Sequence, residues 1–181
     1  MADLEVNKFM DNLRDSNIDI FLLVDEKGYT ILHEIILTKI VQRMTVNFIK
    51  AFIQVAYDEY GENAHGLLKT YANRETYGDR RTILQLAVSA NLTEVIEILV
   101  EELGCDLKTV DDQENSLIHI AAKNGHDIML VKLILTYGLS FVDRNEKGRI
   151  PLHLAALEGK PQIIDILLTW MLNPDIPDED N

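Results

Sequence analysis

Ser116-Leu117-Ile118-His119-Ile120-Ala121-Ala122-Lys123-Asn124-Gly125 is the stretch on which the reading of this chain turns. A hydroxyl residue opens it, apolar residues follow, His119 stands just inside, and Gly125 closes it. The pattern predicts one short helix with both ends marked. Ser116 can accept a bond from a first-turn N–H that has no helical partner, and Gly125 can enter the left-handed region without a Cβ clash. Ala121 and Ala122 are small enough to let a second helix come close.

The stretch recurs. Ile150-Pro151-Leu152-His153-Leu154-Ala155-Ala156-Leu157-Glu158-Gly159 stands 34 residues later, and Thr82-Ile83-Leu84-Gln85-Leu86-Ala87-Val88-Ser89-Ala90-Asn91 stands 34 earlier. A weaker copy opens at Thr30-Ile31-Leu32-His33. The last three copies are each followed by a second apolar-periodic run, from Val95 to Leu103, Met129 to Leu135 and Ile163 to Leu172. Self-similarity at such a period signals stacked repeats, in which one unit cannot bury its apolar face until a neighbour covers it.

These copies resemble the ankyrin repeat, with its Thr-Pro-Leu-His-x-Ala signature in a unit of about 33 residues, a β-turn followed by two helices. Ile150 to Ala155 departs from the signature only at its first position; the copies at Ser116 and Thr82 lack the proline, and the latter has Gln85 in place of histidine. The resemblance covers residues 20 to 173 and implies an all-α solenoid of stacked helix pairs with projecting turn loops. It predicts a single domain over 1–173, with a capping helix in 1–24 and repeats at 25–81, 82–111, 112–143 and 144–173. An acidic, proline-containing disordered tail is expected at 174–181.

Within the first repeat the step from Thr30 to Thr82 is 52 residues. Helices are predicted from Ile31 to Met44 and from Val46 to Tyr60, with Phe48, Phe52, Val55 and Ala56 on one face of the second. Residues 61–81 are then an enlarged loop, with room for a short helix near Ala64 to Tyr71 that packs Leu67, Leu68 and Tyr71. Leu4, Val6, Phe9, Met10 and Leu13 lie near helical spacing and carry the capping-helix expectation. Gly28 and Gly148 each stand two residues before a helix opening, where the intervening copies hold Arg80 and Glu114; those turns must manage without glycine. Trp170 is expected to half-cover the last apolar face.

The chain has 17 basic and 30 acidic residues, a net charge of −13, which repels nucleic acid and anionic lipid at long range. With 47% hydrophobic residues it can build a core. Cys105 is the single cysteine, so no disulfide framework exists; the residue is expected as a small buried side chain. No segment approaches ~18 uncharged apolar residues, and Met1 to Glu5 shows no secretory pattern. The expectation is a soluble monomer in the cytoplasm or nucleus, binding neither nucleic acid nor membrane and needing no cofactor.

His33, His119 and His153 invite a metal or catalytic reading, but their period speaks against it. Equivalent residues on packed helices lie about 8–10 Å apart, whereas a metal needs ligand atoms at about 2 Å. The resemblance instead implies that this histidine hydrogen-bonds the turn and fastens one repeat to the next. His65 and His126 are isolated. There is no Gly-rich phosphate loop, no nucleophile elbow and no Cys-x-x-Cys pair. Glu101-Glu102 and Asp111-Asp112 are adjacent rather than facing pairs and read as solvated surface, so no enzyme is expected.

The resemblance implies protein recognition through a concave face made of turns and first helices, in an adaptor or inhibitor similar in size to the small ankyrin inhibitors of cyclin-dependent kinases. The alternative is a regulatory module of a larger protein such as a channel, kinase or acyltransferase. The matching positions are Glu26, Lys27 and Tyr29 in the first copy and Asp79 and Arg81 at the second turn. The third copy supplies Asp112, Gln113, Asn115, Lys123 and Asn124, and the fourth Glu146, Lys147, Arg149, Leu157 and Glu158. Arg144, Lys147 and Arg149 form a basic cluster at the fourth turn, either neutralising Asp143 and Glu146 or meeting a partner.

Overall fold

The computed structural model describes residues 8, 11, 12, 19–38 and 42–172, in two compact units, Met1–Asp106 and Leu107–Asn181. Both are built from helix pairs, the expected all-α architecture; among the described residues the β-structure is one bridge, Val24 with Thr30.

The first unit contains α1 (Ile31–Leu37), α2 (Gln42–Tyr60), α3 (Ala64–Ala72), α4 (Ile83–Ser89) and α5 (Thr93–Glu101). Thr30 and Thr82 open α1 and α4 in extended conformation, their hydroxyls 3.4 Å from the N–H of His33 and of Gln85. The first helices α1 and α4 pack on each other, as do the second helices α2 and α5. Leu32, Phe52, Ala56, Leu84, Ile96 and Leu99 are buried between them, each contributing about 1.5–3 kcal/mol where the side chain is large.

The helix bounds expected for the first repeat need correcting. The first helix ends at Leu37 rather than Met44, where Thr38 takes the C-cap and its Oγ1 donates to the Ile35 carbonyl at 2.9 Å. The second begins at Gln42 rather than Val46. Residues 61–81, expected as an enlarged loop with room for a short helix near Ala64 to Tyr71, run through a 3₁₀ turn at Gly61–Asn63 into a helix at that place, α3. Leu68 and Tyr71 are buried there, and Leu67 is left partly exposed. The Tyr71 ring stacks on Phe52 with centroids 5.6 Å apart and meets Phe21 edge-on at 5.3 Å; its hydroxyl donates to the Leu23 carbonyl at 3.3 Å. The end of α3 is tied to the end of the second repeat: Asn73 Oδ1 accepts from the Asp106 N–H at 2.7 Å, and Asn73 Nδ2 donates to the Gly104 carbonyl at 3.1 Å. The extra length is therefore an added helix of the packed layer, and only residues after Ala72 are irregular. Limited trypsin digestion should accordingly cut at Arg74, Arg80 or Arg81, all exposed, before Lys69 within α3. A first cut at Lys69 would show that α3 opens locally.

The second unit contains α6 (Leu117–Asn124), α7 (Asp127–Leu135), α8 (Pro151–Leu157) and α9 (Pro161–Leu172). α6 ends at Gly125 with φ +79°, as its sequence predicts. Ser116 opens α6 in a capping box with His119, its hydroxyl pairing with His119 Nδ1 at 2.9 Å. α6 packs on α8 and α7 on α9, and Ala121 and Ala122 are fully buried. Pro151 occupies the first turn of α8, where its missing N–H costs no hydrogen bond. Trp170 is half-buried against Phe141, ring centroids 5.9 Å apart.

Cys105 is buried, and burial pushes its thiol up to about 12, so it is a packing residue and not a nucleophile. Lys8, Asp11 and Asn12 are helical and exposed; the rest of the helix expected near the N-terminus and the tail expected at 174–181 lie outside the described residues.

Candidate functional site

Each projecting turn is closed by one polar residue five or six positions before a helix cap. In the first turn the Asp25 N–H donates to the Tyr29 carbonyl at 3.0 Å, while Asp25 Oδ1 accepts from the Lys27 and Tyr29 N–H groups, both at 2.8 Å. Asp111 repeats this in the third turn, accepting from Gln113 at 2.9 Å and Asn115 at 2.8 Å. Asn145 repeats it in the fourth, accepting from Lys147 at 3.1 Å and Arg149 at 2.9 Å. The second turn is one residue longer: Thr76 closes it, its Oγ1 accepting from the Arg81 N–H at 2.9 Å and donating to the Asp79 carboxylate. A side-chain oxygen that takes two backbone N–H groups holds a tight turn without a strand.

Within each unit, consecutive turns are bonded to one another. The Tyr77 N–H donates to the Lys27 carbonyl at 2.7 Å in the first unit, and the Glu146 N–H donates to the Gln113 carbonyl at 3.1 Å in the second. A histidine adds a second tie. His33 Nε2 reaches the Arg81 carbonyl at 3.3 Å and His119 Nε2 the Arg149 carbonyl at 2.8 Å. A carbonyl only accepts, so Nε2 carries the proton and Nδ1 holds the lone pair that receives the Thr30 or Ser116 N–H, at 3.2 and 3.3 Å. Burial holds both imidazoles below their ordinary value of 6.5, an effect only partly offset by the Arg81 and Arg149 carbonyls. Gln85 takes the histidine's place in the second copy, its Oε1 accepting from the Thr82 N–H at 2.9 Å.

These bonds bring the residues proposed from sequence into two groups. Glu26, Lys27, Tyr29, Asp79 and Arg81 share the bonded turns of the first unit, and Asp112, Gln113, Asn115, Glu146, Lys147 and Arg149 those of the second. Lys123 and Asn124 lie exposed at the end of α6, and Leu157 and Glu158 exposed at the end of α8. Asn115 is not available for contact: it is buried, its Nδ2 donating to Asp111 Oδ2 at 3.0 Å and its Oδ1 accepting from Asn145 Nδ2 at 2.8 Å. It is a strut between turns. Arg81 is held against Asp79 at 3.1 Å, and Tyr29 is half-buried edge-on to His33.

Sequence reading overlooked two things here. Asp25, Asp111 and Asn145 each stand five residues before a helix cap, a period visible in the sequence but masked at Thr76 by the extra turn residue. Tyr77 is 69% exposed at the tip of the second turn, an aromatic side chain with its backbone already fixed.

Around the fourth turn, Arg144 Nη1 donates to the Gly148 carbonyl at 2.8 Å, and none of Arg144, Lys147 and Arg149 forms an ion pair with a carboxylate among the described residues. Neither Asp143 nor Glu146 stands in salt-bridge contact with them. Also among the described residues, no group of three or more His, Cys, Asp or Glu side chains could hold a metal ion, and no helix is long and apolar enough to cross a membrane.

The family profile for ankyrin repeats, in three copies, matches residues 52–128 and 84–180. The chain belongs to the ankyrin-repeat family. A putative ankyrin repeat protein of Rickettsia bellii is 32% identical over 88 residues, 48% of this chain and 48% of that protein. Inversin of Gallus gallus is 27% identical over 119 residues, 63% of this chain and 11% of that protein. The rat nuclear factor NF-kappa-B p105 subunit is 31% identical over 90 residues, 49% of this chain and 9% of that protein. The chain thus spans half or less of the length of these curated relatives. Ankyrin repeats act generally as protein–protein interaction modules and typically carry no enzymatic activity of their own.

Proposed function

We propose that this ankyrin-repeat chain binds a partner protein through its turn tips and the adjoining ends of its first helices, as an adaptor or inhibitor working as a monomer in the cytoplasm or nucleus. One observation carries the reading. Arg144, Lys147 and Arg149 gather at one rigid turn of a chain with net charge −13, and no carboxylate among the described residues pairs with them. Solvent-facing cations of this kind, without a carboxylate partner, favour a partner surface rich in carboxylates or backbone carbonyls. Asp112, Gln113 and Glu146 offer further contacts on the bonded turns of the second unit, and Glu26, Lys27, Tyr77 and Asp79 stand on those of the first. The chain's partial coverage of its relatives favours a second reading, a regulatory ankyrin module within a longer protein.

The double change Lys147→Glu with Arg149→Glu tests the reading. Affinity for a partner identified by cross-linking should fall by more than about tenfold, or ~1.4 kcal/mol, mainly through slower association at low salt. The thermal midpoint should hardly move, because exposed substitutions typically change stability by within about ±0.5 kcal/mol. Equal affinity of variant and parent would place this turn outside the interface.

A further inference from the structure

The fourth repeat changes character at the positions around its turn. Equivalent residues of the third and fourth repeats lie 34 apart. Where the third carries Val110, Gln113 and Asn115, the fourth carries Arg144, Lys147 and Arg149, and Lys123 at the end of α6 gives way to Leu157 at the end of α8. Cations at the turn and an apolar side chain at the helix end thus enter the same repeat together.

The structure brings these residues to one place. Gly148, Arg149, His153, Ala156 and Leu157 line an open hollow of about 470 Å³, in which Ala156 and Leu157 are exposed, Leu157 by 62%. Arg144 stands at its rim, where Nη1 donates to the Gly148 carbonyl at 2.8 Å and the remaining guanidinium N–H groups are left for another acceptor. His153 Nδ1 accepts from the Ile150 N–H at 3.1 Å, so the neutral ring carries its proton on Nε2. His119 Nε2 gives the equivalent proton to the Arg149 carbonyl at 2.8 Å, whereas His153 Nε2 has no hydrogen-bond partner among the described residues. A fixed donor on the wall of the hollow therefore lacks the oxygen that its buried counterpart has, and it lies between a cationic rim and an apolar floor. A basic segment would be repelled by that rim. A long polyanion would meet the net charge of −13 on the rest of the chain, but a short acidic segment meets only the local field.

We infer that this hollow seats a short acidic segment of a partner protein, with an apolar side chain such as leucine lying on Ala156 and Leu157 and a neighbouring carboxylate accepting from His153 Nε2 and pairing with Arg149. Further carboxylates of the segment meet Arg144 and Lys147 at the turn. The inference rests on the reading that the fourth turn faces a partner; it adds that partner's chemistry and extends the contact to His153 and Leu157 of α8.

The test is fluorescence anisotropy with the full chain and a labelled synthetic peptide, Gly-Glu-Glu-Leu-Glu-Glu-Gly. Exchanging its glutamates for glutamine or lysine, or its leucine for serine, should each weaken binding by more than about tenfold. On the protein side, His153→Phe removes the donor and keeps the bulk, and should weaken the parent peptide by about tenfold. His153→Gln should cost less, because glutamine keeps an acceptor for the cap N–H, as Gln85 does at 2.9 Å from the Thr82 nitrogen, and a donor for the ligand. Leu157→Ser should weaken the leucine peptide and hardly change the binding of the serine peptide, and His153→Phe should likewise hardly change that of the glutamine peptide. Losses that simply add in these pairs overturn the inference, as do failure of the glutamate peptide to bind and preference for the lysine peptide. Self-association of the parent that Leu157→Ser abolishes also overturns it, since the hollow would then seat a second copy. If Lys147→Glu with Arg149→Glu weakens the cross-linked partner while His153→Phe and Leu157→Ser bind it as the parent does, the turn reading stands and this inference falls.

Discussion

Replacing His119 by alanine should cost the second unit about 2–4 kcal/mol, a large fraction of the stability of a small domain. The side chain is fully buried and spans two repeats, with Nδ1 on the Ser116 N–H and Nε2 on the Arg149 carbonyl. Its loss removes about 1 kcal/mol of net hydrogen bonding and leaves buried partners unsatisfied at about 1–3 kcal/mol. The chain contains its own control, because Gln85 fills the same position with an amide that offers one acceptor and one donor. His119→Gln should therefore lose less than about 1 kcal/mol. Urea midpoints of the two variants separate the cases. If alanine and glutamine were equally mild, the histidine would be filling space and not tying turns.

The same network fixes a pH dependence. Protonating His119 or His33 places a second proton on Nδ1, facing an N–H donor, in a site where burial already disfavours charge. Folded values below 6.5 mean that the unfolded chain binds more protons as the pH falls through the window beneath that value. This contribution is complete above about 6.5, declines as the pH drops, and is lost once the pH passes the lowered folded values. The parent should thus lose stability as the pH falls below about 6.5, and the double variant His33→Gln with His119→Gln should lose distinctly less. Identical slopes would assign the dependence to other groups.

What the sequence made legible was whatever repeats. The 34-residue period placed the helix pairs of the last three repeats, and in the third repeat Ser116, His119 and Gly125 marked the ends of the first helix. The departures came where one residue escaped the period. α3 was legible only as room for a short helix near Ala64 to Tyr71, because its burial depends on Tyr71 meeting Phe52 and Phe21, side chains 19 and 50 residues away in sequence. Asn115 looked like a surface residue because a turn position is usually solvated; only the Asn145 amide from the next turn buries it. Tyr77 was missed because the second turn is one residue longer than the others and slips out of alignment. Local periodicity carries the helices, whereas contacts between turns are set by neighbours that no short window contains.

Gly28 tests that distinction most directly, since the sequence treats it as equivalent to Gly148 and the structure does not. The turn position is left-handed in all four copies: Gly28 φ +84°, Arg80 φ +51°, Glu114 φ +57° and Gly148 φ +67°. Arg80 and Glu114 show that a side chain is tolerated there at the usual cost of about 1 kcal/mol for a left-handed residue with a Cβ. At Gly148 a Cβ would meet nothing within 4 Å, so Gly148→Ala should cost only that. At Gly28 a Cβ would stand 2.9 Å from the backbone nitrogen of Tyr77 and 3.2 Å from the Thr76 Cα. Backbone cannot swing aside as a flexible side chain can, and this nitrogen is the one that donates to the Lys27 carbonyl. Gly28→Ala should therefore add the loss of the bond between the first two turns to the conformational cost, about 2–3 kcal/mol in all. Thermal unfolding of the two variants side by side checks the difference, and equal shifts would mean that the first two turns can part without cost to the first unit.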